Sequence, residues 1–124
     1  MERWKMDEVE QRYSFIGDII TTAIEGGIDY WAIVHKATMY NCRVILFESE
    51  AYDEESPSEN NKITVGYRDI NKAIKKIIET KELVAKEYET ELFYADKYND
   101  SSEIDSVLAD IIFQVAVFGE VVYG

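Results

Sequence analysis

Between about Met6 and Glu25, apolar Val9, Tyr13, Ile16, Ile20, Ala23 and Ile24 recur at helical spacing, while Ser14, Asp18, Thr22 and Glu25 form a separate polar stripe. This spacing predicts an amphipathic helix. Gly26-Gly27 follows it and offers a left-handed C-terminal cap, a conformation that glycine enters without a Cβ penalty. From Tyr30 to Phe47 the residues become β-branched and aromatic, which predicts strands over about Tyr30 to Met39 and Arg43 to Phe47, with Tyr40-Asn41 at the turn. Lys62 to Tyr67 alternates as a third strand, with Ile63 and Val65 on one face and Thr64 on the other. Asp69 is the expected N-cap of a second helix, with Ile70, Ala73, Ile74, Ile77 and Ile78 inside and Lys72, Lys75, Lys76 and Lys81 outside. Over Leu83 to Asn99, Val84, Tyr88, Leu92 and Ala95 suit a helix, whereas Tyr94, Tyr98 and Asn99-Asp100 suit a loop; we read it as helix. The last segment is nearly all apolar. Ser102-Glu103-Ile104-Asp105 resembles a capping box with Asp in place of Glu. Ile104, Val107, Leu108, Ile111, Ile112, Val115 and Phe118 then run at helical spacing to Gly119, which predicts a helix buried on most sides.

The elements predict an α+β fold in a single domain spanning residues 1–124. A small antiparallel sheet of about three strands packs with an N-terminal helix, a middle helix and a buried C-terminal helix. Because 47% of the 124 residues are hydrophobic, the chain can bury a core, and its acidity is not that of a disordered tail.

That acidity is large. With 13 Lys+Arg against 25 Asp+Glu the net charge is −12, which argues against direct binding to nucleic acid or an anionic membrane and points to neutral or basic partners. The charge is unevenly spread. Glu48 to Asn61 holds Glu48, Glu50, Asp53, Glu54, Glu55 and Glu59, no basic residue and the only proline, Pro57, and reads as a solvated loop and a partner-binding surface. Asp100 to Gly124 carries none of the basic residues.

Catalytic material is sparse. The chain has no Gly-x-Ser-x-Gly elbow, no phosphate-binding glycine loop followed by Lys-Ser/Thr and no His-Glu-x-x-His helix. His35, the one histidine, is expected on a strand face, and Cys42, the one cysteine, reads as a small turn or core residue and leaves no partner for an intrachain disulfide. No catalytic residue, metal ligand or cofactor is therefore assigned. A charged N-terminus and the lack of a long apolar run suggest a cytoplasmic protein. Carboxylates keep a minority alternative open: an acidic corner of Glu25, Asp29 and Asp110 binding a divalent cation or acting in an enzyme.

Asp110 and Gln114 are more telling, because they sit four apart on a mostly apolar helix and must find hydrogen-bond partners. One reading is structural: they bind backbone from a neighbouring loop such as the Gly26-Gly27 turn. In the other they line a pocket with Glu25, Tyr30 and Trp31, whose rings stack on a ligand. Tyr88, Tyr94 and Tyr98, interleaved with acids, are candidates for a partner surface.

Two strings, Thr22-Ala23-Ile24-Glu25-Gly26-Gly27-Ile28-Asp29-Tyr30-Trp31 and the run from Ala109 to Gly124, resemble a group of small proteins encoded by phages, prophages and plasmids. In that group a helix ending in Glu-Gly-Gly and an aromatic Tyr-Trp pair is followed much later by an Ala-Asp, Gln, Phe-Gly-Glu, Tyr-Gly pattern. The resemblance implies a mobile-element setting and no mechanism. It falls on the residues that the physical reading singles out as ligand-binding: Glu25, Gly26, Gly27, Tyr30, Trp31, Asp110, Gln114 and Glu120. The leading expectation is an accessory protein that acts by binding, a host-defence antagonist that is anti-CRISPR-like or mimics nucleic acid and whose partner is a host protein with a basic surface. The alternative is a module sequestering a nucleotide-like small molecule. A homo-oligomer is also expected, since the apolar last helix and the aromatic excess need covering.

Overall fold

The computed structural model describes residues 7–55 and 61–124. Met6, Pro57 and Glu59, invoked above for the helix start and the acidic loop, lie outside the described residues. Over those described, the order is α1 (Glu8–Gly26), β1 (Ala32–Thr38), β2 (Arg43–Glu48), β3 (Lys62–Val65), α2 (Tyr67–Glu79), α3 (Lys86–Tyr98) and α4 (Ser106–Phe118). The architecture is α+β. The sheet is antiparallel throughout with order β1-β2-β3, so β2 is central.

Helix α1 starts where the Asp7 carboxylate accepts the Glu10 N–H at 2.9 Å, satisfying a first-turn donor that has no partner within the helix. Its buried face is Phe15, Ile16, Ile19, Ile20 and Ala23. Val9 and Tyr13, expected inside, are exposed, because the core meets only the later turns of the helix and Tyr13 instead stacks on Tyr67 at a centroid distance of 4.0 Å. The left-handed cap expected at Gly26-Gly27 is also corrected. Gly26 is the last helical residue and Gly27 has φ −98°, an ordinary right-handed conformation. Glycine is required there for space, since a Cβ on Gly27 would meet the Ser106 carbonyl oxygen at 2.9 Å and the Ala23 Cα at 3.1 Å. The close approach brings the end of α1 against the start of α4.

Strand β1 is shorter than predicted, beginning at Ala32, so Tyr30 and Trp31 belong to the turn before it. Its register with β2 shifts between Val34 and Lys36, which leaves exposed His35 as a bulge residue. The β1–β2 turn extends to Cys42, which takes φ +53° and is fully buried. Its thiol donates to the Tyr13 carbonyl at 3.4 Å, and burial pushes its pKa up, away from thiolate chemistry. Strand β3 ends at Val65, and Tyr67 starts α2. Gly66 is therefore the N-cap rather than Asp69, whose carboxylate reaches back as the third helical residue to accept the Gly66 N–H at 2.8 Å.

The ambiguous stretch is helical from Lys86, and its end is set by Asn99 in the left-handed region. Arg12 ties three helices together. It donates to Asn71 Oδ1 at 2.8 Å, to the Asp96 carboxylate at 2.6 Å and to Asn99 Oδ1 at 2.9 Å, with its guanidinium 5.0 Å from the Phe15 ring centroid. Asp105, not Ser102, caps α4, accepting the Leu108 N–H at 2.8 Å. Every residue from Leu108 to Val115 is buried, and α4 packs against both α1 and α2. Much of the apolar circumference that suggested an oligomer is covered within the chain itself, while Val107 is exposed and Ala116, Val117 and Phe118 are half-buried. No helix of the described residues is long and apolar enough to cross a membrane.

Candidate functional site

Asp110 and Gln114 enter the core because α4 carries them on a face that meets the α1–β1 turn and the chain's own C-terminal segment. Asp110, 8% exposed, accepts the Trp31 indole N–H at 2.7 Å on one oxygen and the Tyr30 hydroxyl at 2.6 Å on the other. Gln114 is completely buried, and its amide nitrogen donates toward Asp110 at 2.9 Å, Tyr123 O at 3.0 Å and the Tyr30 hydroxyl oxygen at 3.1 Å. Its amide oxygen accepts the N–H groups of Val122 at 2.8 Å and Tyr123 at 2.7 Å. One side chain thus satisfies both the donor and the acceptor of Tyr123, as a neighbouring β-strand would.

That contact is possible because Gly119, at φ +80°, reverses the chain after α4. Residues 120–124 return as a strap. The Tyr123 ring stacks on Trp31 at 5.7 Å and 6°, with Phe118 tilted against both. Its hydroxyl donates to the carboxylate of Glu48. Glu48 is therefore the last residue of β2, engaged with the strap, and not part of the acidic loop. Among the described residues no buried side-chain nitrogen or oxygen is left without a partner.

Both tyrosine hydroxyls in the network resist ionisation. Loss of hydration and the Asp110 carboxylate push Tyr30 up to about 12. The hydrogen bond to Glu48, followed by desolvation and the charges of Glu48 and Glu50, does the same for Tyr123, also to about 12. A tyrosine whose pKa is raised in the fold contributes stability that is fully present below its ordinary value of 10.0 and is lost as pH rises through about 12. Phenolate absorbance should therefore show two tyrosines that ionise only as pH approaches about 12, with release of the strap. Ionisation of every tyrosine together near the ordinary value would contradict the network.

Of the residues singled out as ligand-binding, Gly26, Gly27, Tyr30, Asp110 and Gln114 border one cleft of about 580 Å³, which Val121, Tyr123 and Gly124 of the strap also line. Glu25 and Glu120 are exposed and do not line it. Trp31 is 1% exposed with Tyr123 against its ring, so it cannot stack on a ligand while the strap is seated. The proposed partner of Asp110 and Gln114, the Gly26-Gly27 turn, is replaced by the aromatic pair and the strap. The acidic corner does not form: no group of three or more His, Cys, Asp or Glu side chains among the described residues is arranged to hold a metal ion. Elsewhere, Glu50, Asp53, Glu54 and Glu55 are exposed, with Glu50 in a single 3-10 turn, Ser49–Ala51. Tyr94 and Tyr98 are exposed and Tyr88 is half-buried.

The strap contacts of Val122 and the Glu48–Tyr123 bond were not legible in the sequence. The one pointer was a glycine after α4 followed by Val121, Val122 and Tyr123, apolar residues with no helix to continue. Together these features define a small α+β protein whose tail is locked onto a buried Asp-Gln pair. Against protein-family models, curated proteins and solved structures, the chain finds no match.

Proposed function

We propose that this chain acts by binding, presenting exposed carboxylates to a basic face of another protein. In the mobile-element setting that the two terminal strings imply, that partner is a host-defence factor, and the carboxylates stand where nucleic-acid phosphates would lie. One observation carries the reading. Glu50, Asp53, Glu54 and Glu55 are all exposed, and the sequence between Arg43 and Lys62 contains no basic residue. Of the α2 lysines, Lys72, Lys75 and Lys76 line a cleft together with Asp69 and Glu79 that none of these four exposed acids borders. Carboxylates concentrated in this way steer a basic partner and weaken as salt screens them.

The test is affinity for a basic nucleic-acid-binding complex of host defence across a salt series. Wild type is expected to lose roughly tenfold or more in affinity from low to physiological salt. A Glu50→Gln, Asp53→Asn, Glu54→Gln, Glu55→Gln variant should bind weakly at every salt concentration. An affinity that is flat in salt, or unchanged in the variant, rejects the mimicry reading.

The cleft beside Tyr30, Asp110 and Gln114 supports a second reading, sequestration of a nucleotide-like molecule. A ligand of the native state must raise apparent stability, so thermal shifts with nucleotides and cyclic nucleotides separate the two.

A further inference from the structure

Helix α3 turns an aromatic face outward. Phe93, Tyr94 and Tyr98 are 46%, 56% and 65% exposed, although the same helix buries Leu92 and Ala95 in the core. Beside this face, Tyr94, Tyr98 and Ala95 line a cleft of about 270 Å³ together with Glu91, Asp100 and Glu103. Its lining contains aromatic rings and carboxylates and no basic side chain.

We propose that this cleft receives an arginine side chain from an extended segment of a basic protein partner. The inference rests on the binding reading above and adds to the 50–55 carboxylates a second surface for a basic partner. Two observations favour a cation over an apolar ligand, and a third steadies the ring that would meet it. The charge in the cleft is wholly negative, and Asp100, which accepts the Ser102 N–H at 3.0 Å, is held below its ordinary carboxylate value by that bond and so stays ionised. The Tyr98 ring draws a cation, the chain's own Lys97, whose Nζ lies 5.4 Å from its centroid and which an arriving guanidinium displaces. Phe93 packs edge-on to Tyr94 at 5.3 Å, which steadies that ring. A guanidinium suits this combination better than an ammonium, because its plane stacks on a tyrosine while its edge pairs with a carboxylate.

The test is an amide chemical-shift titration of the whole chain with a short capped Gly-Arg-Gly-Arg-Gly peptide, beside peptides carrying lysine or neutral citrulline in place of arginine. Saturable shifts are expected over residues 90–105 with the arginine peptide, severalfold weaker binding with lysine and none with citrulline. Glu91→Gln combined with Glu103→Gln should weaken the arginine peptide about tenfold, as should Tyr98→Ala. These side chains are exposed, and the spectrum itself reports whether each variant is folded. Saturation at residues 50–55 instead, or variants that bind like wild type, overturns the cleft and leaves the acidic-surface reading standing. No saturable shift anywhere overturns the cleft, and the salt series above decides the acidic surface separately.

Discussion

Replacing Trp31 with alanine should remove about 3–5 kcal/mol of folding stability, the range for truncating a large aromatic side chain in a packed interior. Trp31 is the largest of the fully buried side chains, and it holds three parts of the fold in register. Its indole N–H binds Asp110 on α4, its ring stacks on Tyr123 of the strap, and its carbonyl accepts the Ser49 N–H at 2.7 Å just beyond β2. Truncation opens a cavity and leaves Asp110 one donor short. Trp31→Phe separates the two effects, since it keeps most of the ring and loses only the donor; it should cost about 1–3 kcal/mol. Urea denaturation followed by far-ultraviolet circular dichroism measures both. A loss below about 1 kcal/mol in Trp31→Ala would mean that the ring does not hold these three parts together.

The second large effect is expected at Gln114. Its removal strands the Val122 and Tyr123 amides, the Tyr123 carbonyl and one donor to Asp110, so Gln114→Ala should cost about 2–4 kcal/mol. Hydrogen exchange gives the more specific readout. The amides of Val122 and Tyr123 should lose protection while those of the α4 interior keep theirs relative to global stability. Gln114→Glu tests the same site electrostatically. The introduced carboxyl lies beside Asp110 in the interior, so its pKa rises in the fold. A raised folded-state value means that its contribution is intact below the ordinary Glu range and is lost as pH rises through the folded value. The variant should therefore be closer to wild type in mild acid than at neutral pH. The opposite order would show that Asp110 and Gln114 do not share one buried network.

Legibility in the sequence followed the range of the interaction. The periodicities of residues 69–78 and 104–118 are local, and α2 and α4 lie where they predict. The 83–99 stretch was balanced between helix and loop because Tyr94 and Tyr98 face outward, and burial of Leu92 and Ala95 decides it. Caps were misplaced by a few residues in the same way. Asp69 and Ser102 both have capping chemistry, but the turn geometry assigns the cap to Gly66 and Asp105. At the candidate site, the polar character of positions 110 and 114 on an apolar helix marked the pair at once. Tyr30 and Trp31 were expected beside the pair as pocket walls, but their role as its hydrogen-bond donors did not show, because Trp31 lies 79 residues from Asp110 and nothing local records which distant donor will arrive.

From the sequence alone came the α+β class, the buried last helix, the concentrated acidity of the 48–59 stretch and the demand that Asp110 and Gln114 be satisfied. Each of these follows from spacing, composition or the cost of burying an unpaired polar group. Tertiary structure alone decided that the strap returns over Gly119 to meet that demand, that Trp31 is sealed beneath Tyr123, and that Gly27 serves a close approach rather than a left-handed turn. These depend on where separate elements meet, and a one-dimensional pattern specifies which faces must be covered without specifying what covers them.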